Sequence, residues 1–283
     1  MQSLSIVIPA KNESGAVGQA VAGARAKYPE AEIIVVDDGS TDDTAAAAEN
    51  AGARVVRHPE SLGNGAAVKA GARAAAGDVI AFMDGDGQHD AAEFDGLLAK
   101  LDEGFDMAIG ARSSGSHANV GRLAANGIYN VVASWLTGRR IPDLTSGFRV
   151  ARAELFRKFL YLLPNGFSYP TTITMAFLRA GYPISFEAIP VDKRIGRSHI
   201  RPIRDGVRFM VIIFKIATLY SPLKIFLPIS AGFFATGLGW YAYTYLTMGR
   251  FTNMSMLLVS AAVIVFLIGL ISEQITALTY SKS

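Results

Sequence analysis

Two stretches of this chain, Ile225 to Gly249 and Phe251 to Ser272, carry no charged residue, and Arg250 alone separates them. At about 1.5 Å per residue, each is long enough to cross a hydrocarbon layer roughly 30 Å thick as a helix. Two such runs in succession rarely occur in a soluble core. Residues 223–283 are therefore read as a two-helix transmembrane hairpin, with buried core helices as the alternative. Lys and Arg gather before it, at Arg201, Arg204, Arg208, Lys215 and Lys224, and Lys282 follows it. That asymmetry predicts both hairpin ends on the cytoplasmic side. Glu273, near the cytoplasmic end of the second run, can snorkel or pair with a partner helix.

Ahead of the hairpin, residues 201–222 read as amphipathic juxtamembrane helices. A helix is expected from Pro202 to about Thr218, with proline in its first turn. Arg204, Arg208 and Lys215 then share one face, and Met210, Ile213, Phe214 and Ala217 lie opposite. Such a helix suits the membrane interface, its cations toward lipid headgroups. The alternative is an ordinary helix packed on the preceding domain. Pro222 is expected to break a short segment before the first span. The net charge of +3 sits beside the hairpin, so membrane lipids account for it without nucleic acid. With no cysteine, the chain has no disulfide framework and no Cys metal site. Met1-Gln2-Ser3 runs straight into strand-like Leu4–Ile8 without a signal-peptide pattern. The N-terminal domain is thus expected in the cytoplasm, on an integral protein of the cell (inner) membrane.

Residues 1–200 alternate strand and helix signals. Strands are expected at Leu4–Ile8, Glu32–Val36, Arg54–Arg57 and Val79–Met83, and helices at Val17–Lys27, Thr41–Asn50 and Gly65–Ala76. Repeated βα units imply an α/β fold, Rossmann-like, with a mostly parallel sheet between helices. Further strands are expected at Asp106–Gly110 and Ile184–Val191, and a helix at Leu123–Leu136, in a less regular middle part. Ligands of such sheets sit beyond the carboxyl ends of the strands. Pro9-Ala10-Lys11-Asn12-Glu13, Asp37-Asp38 and Asp84-Gly85-Asp86-Gly87-Gln88 all fall there. Asp84 and Asp86, one residue apart at a strand end, can reach one cation, and Gln88 adds a neutral oxygen. Oxygen donors suit a hard divalent ion that leaves positions open for phosphates. An acidic turn is the plain alternative.

With these residues placed, the chain resembles family 2 glycosyltransferases of the GT-A fold, and most of all their polyprenyl- or dolichyl-phosphate sugar synthase branch. The matching pieces are Ile8–Glu13, Val35–Asp42, Gly63-Asn64-Gly65, Asp84–His89 and Asp143-Leu144-Thr145-Ser146-Gly147-Phe148-Arg149. The resemblance spans roughly residues 4 to 200 and continues loosely into the hairpin. It implies a glycosyltransferase domain over 1–200 that moves a sugar from a UDP- or GDP-linked donor, UDP being favoured, to polyprenyl phosphate. The anomeric configuration would invert, and a homo-oligomer is expected. Pro9, Lys11 and Glu13 would line the nucleotide pocket, and Val36 and Asp38 would contact base and ribose. Asp84, Asp86 and Gln88 would hold Mg²⁺ or Mn²⁺ on the donor diphosphate. Arg112, Ser146 and Arg149 would face phosphates, mainly the acceptor's, with Asp143 beside them. Gly85 stands where alanine is common, which costs no ligand. In the basic loop, Lys193 and His199 occupy positions where relatives carry Arg and Lys, and Arg194 stands one step along. Any of the three can meet the diphosphate.

The chemistry is consistent. A lipid monophosphate has its second pKa near 6, so it is already largely anionic and needs no dedicated base. Bringing two anions together needs cations, and guanidinium binds phosphate oxygens in a fork. Plainer readings stand beside these. Arg149 can be a surface salt-bridge residue, and Asp143 can orient the Thr145-Ser146 turn. Glu13 can cap a helix, Asn64 can serve a tight turn, and His89 and His199 can be structural or touch phosphate. The sugar depends on pocket shape, in loops 113–121 and 165–172. A processive polysaccharide synthase of the same superfamily is the second enzyme reading. Neither Trp135 nor Trp240 follows an arginine, as that class's Q-x-x-R-W motif requires. A non-catalytic membrane scaffold is the third.

Overall fold

The computed structural model describes residues 2–87, 89–112, 120–166, 168–189 and 220–280, together with Phe214 and Thr218. The chain divides into two compact units, Met1–Phe209 and Met210–Ser283.

The first unit is built on seven strands: β1 (Leu4–Ala10), β2 (Glu32–Asp37), β3 (Arg54–Arg57), β4 (Val79–Phe82), β5 (Met107–Arg112), β6 (Arg149–Arg152) and β7 (Ile184–Ile189). They form one sheet in the order β3-β2-β1-β4-β6-β5-β7. Every pairing is parallel except those of β6, which runs antiparallel to β4 and β5. The inner strands are near-continuous apolar runs, as burial on both faces demands. Helices α1 (Val17–Lys27), α2 (Thr44–Asn50), α3 (Asn64–Ala74), α4 (Phe94–Asp102), α5 (Val120–Thr137), α6 (Ala153–Lys158) and α7 (Tyr169–Arg179) complete the unit.

Register decides where the polar clusters go. Ala10 pairs with Asp37 and Val7 with Phe82, so β1, β2 and β4 end at one edge. Arg149, the first residue of antiparallel β6, pairs with Phe82 and Ile109. The reversed strand thus delivers the 143–148 segment to the edge where β5 ends in Arg112. A stack of Phe94 on Phe148 (ring centroids 4.2 Å apart) and of His89 on Phe148 (4.8 Å) fills the space beneath.

The expected strands and early helices are present with shifted ends. The α2 helix starts at Thr44 rather than Thr41, because Asp42 instead accepts from the backbone N–H groups of Ser14 and Thr44. Four elements have no counterpart in the sequence reading: α4, β6, α6 and α7. The helix expected from Pro202 to Thr218 lies outside the described residues, apart from Phe214 and Thr218.

In the second unit, α8 (Pro222–Met248) and α9 (Asn253–Tyr280) form the hairpin. Pro222 opens α8 at its first turn, and a break at Ser221 separates it from helical Tyr220, as expected for a proline between a short segment and the first span. Gly249 ends α8 with φ +63°, and its N–H reaches Tyr245 O. The buried positions are Ser230, Gly237 and Thr244 on α8, apart from Pro222, and Ser255, Ala262, Gly269 and Thr276 on α9. Each set repeats every seventh residue, the period of a left-handed coiled pair. Small residues there let the backbones approach. A Cβ on Gly269 would fall 2.6 Å from Phe226 Cβ, and one on Gly237 would fall 3.0 Å from a Val259 methyl. Ser230 Oγ donates to Ala262 O at 2.7 Å. Large apolar side chains such as Leu246, Leu257, Ile264 and Leu278 face outward. Both helices are long and apolar enough to cross a membrane, and little of either is covered within the unit.

Candidate active site

The strongest polar contact at the strand edge joins β5 to the 143–148 segment. Arg112 Nε donates to Asp143 Oδ2 at 2.7 Å and Nη2 to Oδ1 at 3.1 Å, while Nη2 also reaches Thr145 Oγ1 at 2.6 Å. Asp143 accepts from Thr145 N at 3.0 Å as well. Burial pushes the Asp143 carboxyl up, but the guanidinium and the Thr145 N–H outweigh it and hold it below the usual carboxylate range. Burial likewise opposes the charge on Arg112, and Asp143, with Asp84 behind it, raises its pKa regardless. Asp143 therefore does orient the Thr145 turn, and it also aims Arg112.

Gly147 lies against Asp84. A Cβ there would sit 3.6 and 3.7 Å from the Asp84 carboxylate oxygens and 3.3 Å from Tyr169 Oη. Asp84's charge acts on Arg112, Arg149 and Tyr169, and Asp86's on His89. The ends of β4 and β5, the 143–148 segment and the start of α7 thus converge. Gly85 is buried, and a methyl on it would press on Ala10 Cβ at 3.2 Å and Ile8 Cγ2 at 3.3 Å. Among the described residues no three His, Cys, Asp or Glu side chains are grouped to hold a metal. Asp84 and Asp86 instead offer two carboxylates on one turn. That donor set fits a hard cation that completes its shell with phosphate oxygens and water, rather than one held in an all-protein cage. Gln88 lies outside the described residues.

Arg149 is placed differently from either expectation. It is neither a surface residue nor turned to the solvent edge: none of it is exposed. The cause is its position at the head of β6, between two buried strands. Its Nη2 donates to Ser146 O, and Nη1 donates to Pro170 O at 3.3 Å and Thr174 Oγ1 at 3.2 Å. Among the described residues Nε has no hydrogen-bond partner, and the Tyr169 ring lies 5.9 Å away. Burial lowers its pKa to about 10 against the pull of Tyr169, Asp143 and Asp84, so it stays charged at neutral pH. It supports the site from beneath, through the Ser146 carbonyl and through its charge. Ser146 itself is also buried.

A second network organises the ends of β1 and β2. Asp38 Oδ1 accepts from His58 Nδ1 at 2.8 Å and Leu62 N at 2.9 Å. Its Oδ2 accepts from Ser61 Oγ at 2.8 Å and Gly63 N at 2.9 Å. Burial raises the Asp38 pKa, yet these donors, His58 first, bring it below its ordinary value. Lys11 Nζ joins through Ser61 Oγ at 2.8 Å. Asn12, at φ +54°, accepts from Thr41 N, and Glu13 N donates to Thr44 Oγ1 at 2.8 Å. Pro9 and Val36 pair across β1 and β2. Val36 is fully buried, with a methyl 3.2 Å from where a Cβ on Gly71 of α3 would stand, so its side chain is a core group. Gly63-Asn64-Gly65 serves packing: a Cβ on Gly65 would lie 2.1 Å from Pro164 O, and one on Gly63 2.5 Å from Asn165 O.

Sequence reasoning passed over His58, Ser61 and Tyr169. The signal for His58 was its place at the end of β3, on the edge where the other clusters sit. Lys193, Arg194, His199 and 113–119 lie outside the described residues.

Comparison with known proteins agrees with this geometry. The family model "Glycosyl transferase family 2" matches residues 5–160, and "GtrB C-terminal hairpin" matches residues 221–278. Glycosyltransferase AglJ of Haloferax volcanii is 30% identical over 85% of this chain and 80% of its own. A dolichyl-phosphate hexose transferase of the same organism is 31% identical over 75% and 93%. The polyprenol monophosphomannose synthase of Mycolicibacterium smegmatis is 28% identical over 76% and 86%. Among solved structures, glucosyl-3-phosphoglycerate synthase of Mycobacterium tuberculosis with Mn²⁺ and UDP-glucose superposes with a TM-score of 0.60 at 25% identity, over 77% of this chain and 78% of that one. The chain is a glycosyltransferase and belongs to glycosyl transferase family 2.

Proposed function

We propose that this protein transfers a sugar from a nucleotide-sugar donor to polyprenyl phosphate at the cytoplasmic face of the membrane, with inversion at the anomeric carbon. The observation that carries the reading is the meeting of Asp84, Gly147 and the Arg112–Asp143 pair at one strand edge, in a chain that also carries an apolar hairpin. Relatives named as dolichyl- and polyprenyl-phosphate sugar transferases support the acceptor class. The Mn²⁺ and UDP-glucose of the structural neighbour support the cation and favour UDP over GDP.

In this reading Asp84, Asp86 and Gln88 hold Mg²⁺ or Mn²⁺. Bound there, the cation supplies Lewis-acid stabilisation of the departing diphosphate. Pro9, Lys11, Glu13, Val36 and Asp38 frame the nucleotide, Asp38 by fixing the 58–63 loop and Val36 through its backbone. Gly85 keeps the metal turn pressed onto β1. Arg112, aimed by Asp143, meets the acceptor phosphate, and Ser146 and Arg149 hold that loop from below. Lys193, Arg194 and His199 add positive charge on the donor side. The acceptor arrives ionised, so positioning two anions is the main catalytic demand. The Lys and Arg flanking the hairpin keep both of its ends cytoplasmic.

The test is calorimetric titration of UDP into the full chain in detergent with Mn²⁺. Binding that disappears with EDTA and in Asp86→Ala is expected. No nucleotide binding in the presence of metal would overturn the reading.

A further inference from the structure

One face of α5 has no place in the reaction just described. Leu123 to Gly138 contains no charged residue, and Arg139-Arg140 end the run. Among the described residues of the first unit, the exposed large apolar side chains are Leu62, Val131, Trp135 and Tyr161. Two of these four, Val131 at 68% and Trp135 at 55% exposed, lie one helical turn apart on α5. The opposite face is committed to the active-site segment. Ala133 and Leu136 are fully buried, Ser134 Oγ accepts from Ile141 N at 2.9 Å, and Asn130 Oδ1 accepts from Leu144 N at 3.0 Å. Asn130 Nδ2 also donates to Pro142 O. So α5 is stitched on one side to the residues flanking Asp143, while it presents valine and tryptophan outward on the other.

What lies beyond the helix end decides the occupant. Arg139 and Arg140 are both exposed, and among the described residues neither takes part in an ion pair. An apolar turn followed by two exposed guanidinium groups matches a surface that is apolar inside and anionic outside. Tryptophan favours that depth because its ring is amphipathic. Basic residues are drawn to anionic headgroups. Two side chains fall well short of the roughly 800 Å² per partner that a stable protein interface buries.

We propose that the outward face of α5, Val131 and Trp135 with Arg139 and Arg140, rests on an anionic lipid bilayer. The catalytic unit then has its own membrane contact besides the hairpin. Through Asn130 and Ser134 that contact sets the Asp143–Arg112 pair at headgroup level. The contact goes beyond the proposed reaction and holds whatever the acceptor.

The chain has two tryptophans and no cysteine, which makes the test simple. In full-length Trp240→Phe protein, Trp135 is the only tryptophan. Reconstituted in vesicles of phosphatidylcholine with about one third phosphatidylglycerol, Trp135 is expected to emit to the blue and to be quenched by lipids brominated high on the acyl chain. Arg139→Glu with Arg140→Glu is expected to remove most of that quenching. Mn²⁺-dependent UDP binding, measured on the same samples, keeps the two readings apart. Unquenched, acrylamide-accessible Trp135 with intact UDP binding overturns the bilayer contact alone. Quenched Trp135 with no UDP binding leaves the contact standing and overturns the catalytic reading. Disulfide cross-linking of Val131→Cys between two chains would also overturn the bilayer contact, in favour of an interface between copies.

Discussion

Arg112 and Asp143 meet as a two-pronged fork, Nε to Oδ2 at 2.7 Å and Nη2 to Oδ1 at 3.1 Å, with the carboxylate almost entirely buried. A lysine at 112 would keep the charge but lose the fork. Arg112→Lys is expected to fold and bind UDP as before while transferring sugar at least tenfold more slowly. Steady-state kinetics beside UDP titration would show this split.

The same pair sets a pH dependence. The folded Asp143 pKa is depressed, so its contribution to stability is fully present above the ordinary carboxylate value of about 3.9 and is lost as pH falls through the lower folded value. Asp143→Asn is expected to cost about 2–3 kcal/mol, since it leaves a largely buried guanidinium without its partner charge. Thermal unfolding should show a constant gap to the parent chain from pH 8 to about 5. The gap should close only below about pH 4. A gap that closes between pH 7 and 6 would contradict the assignment.

Glycine positions separate packing from mere flexibility. Gly65→Ala forces a methyl to within 2.1 Å of the Pro164 carbonyl. It is expected to destabilise the catalytic unit by about 1–3 kcal/mol or more. Gly96, within α4, has nothing within 4 Å of a built Cβ. Gly96→Ala is expected to stabilise by about 0.5–1 kcal/mol. Opposite shifts in melting temperature are the readout.

In the hairpin, Glu273 Oε2 on α9 accepts from Leu223 N at the start of α8, where Ser221 supplies no side-chain cap. Removing a cap costs about 1 kcal/mol. Glu273→Ala is expected to lower the unfolding midpoint of the hairpin, and Glu273→Gln, which keeps an acceptor oxygen, is expected to restore most of it. Equal loss in both would point to the charge instead.

Long periodic elements were legible in the sequence because one residue pattern suffices to define them. The apolar hairpin runs and the early βα units are of this kind, and the strand ends carrying Lys11, Asp38, Asp84 and Arg112 followed from them. β6 was not legible: it has four residues, begins with a charge, and is a strand only because β4 and β5 bond to it on both sides. That same placement buried Arg149, whose charge in sequence suggests a solvent-facing phosphate ligand. Val36 and Asp38 show a related limit. A motif names residues near a ligand, but register and side-chain direction decide which of them touch it and which hold the loop. Gly269 and its heptad partners were hidden inside runs whose apolar character is uniform.

Transfer itself tests the central claim most directly. Full-length protein, a radiolabelled UDP-sugar panel and polyprenyl phosphate in anionic vesicles should yield a labelled, mild-acid-labile lipid of the mass of a polyprenyl-phosphate sugar. Formation should require Mg²⁺ or Mn²⁺ and should vanish in both Asp84→Ala and Asp86→Ala. Labelled lipid formed at the parent rate by Asp86→Ala, or formed equally in EDTA, would contradict it.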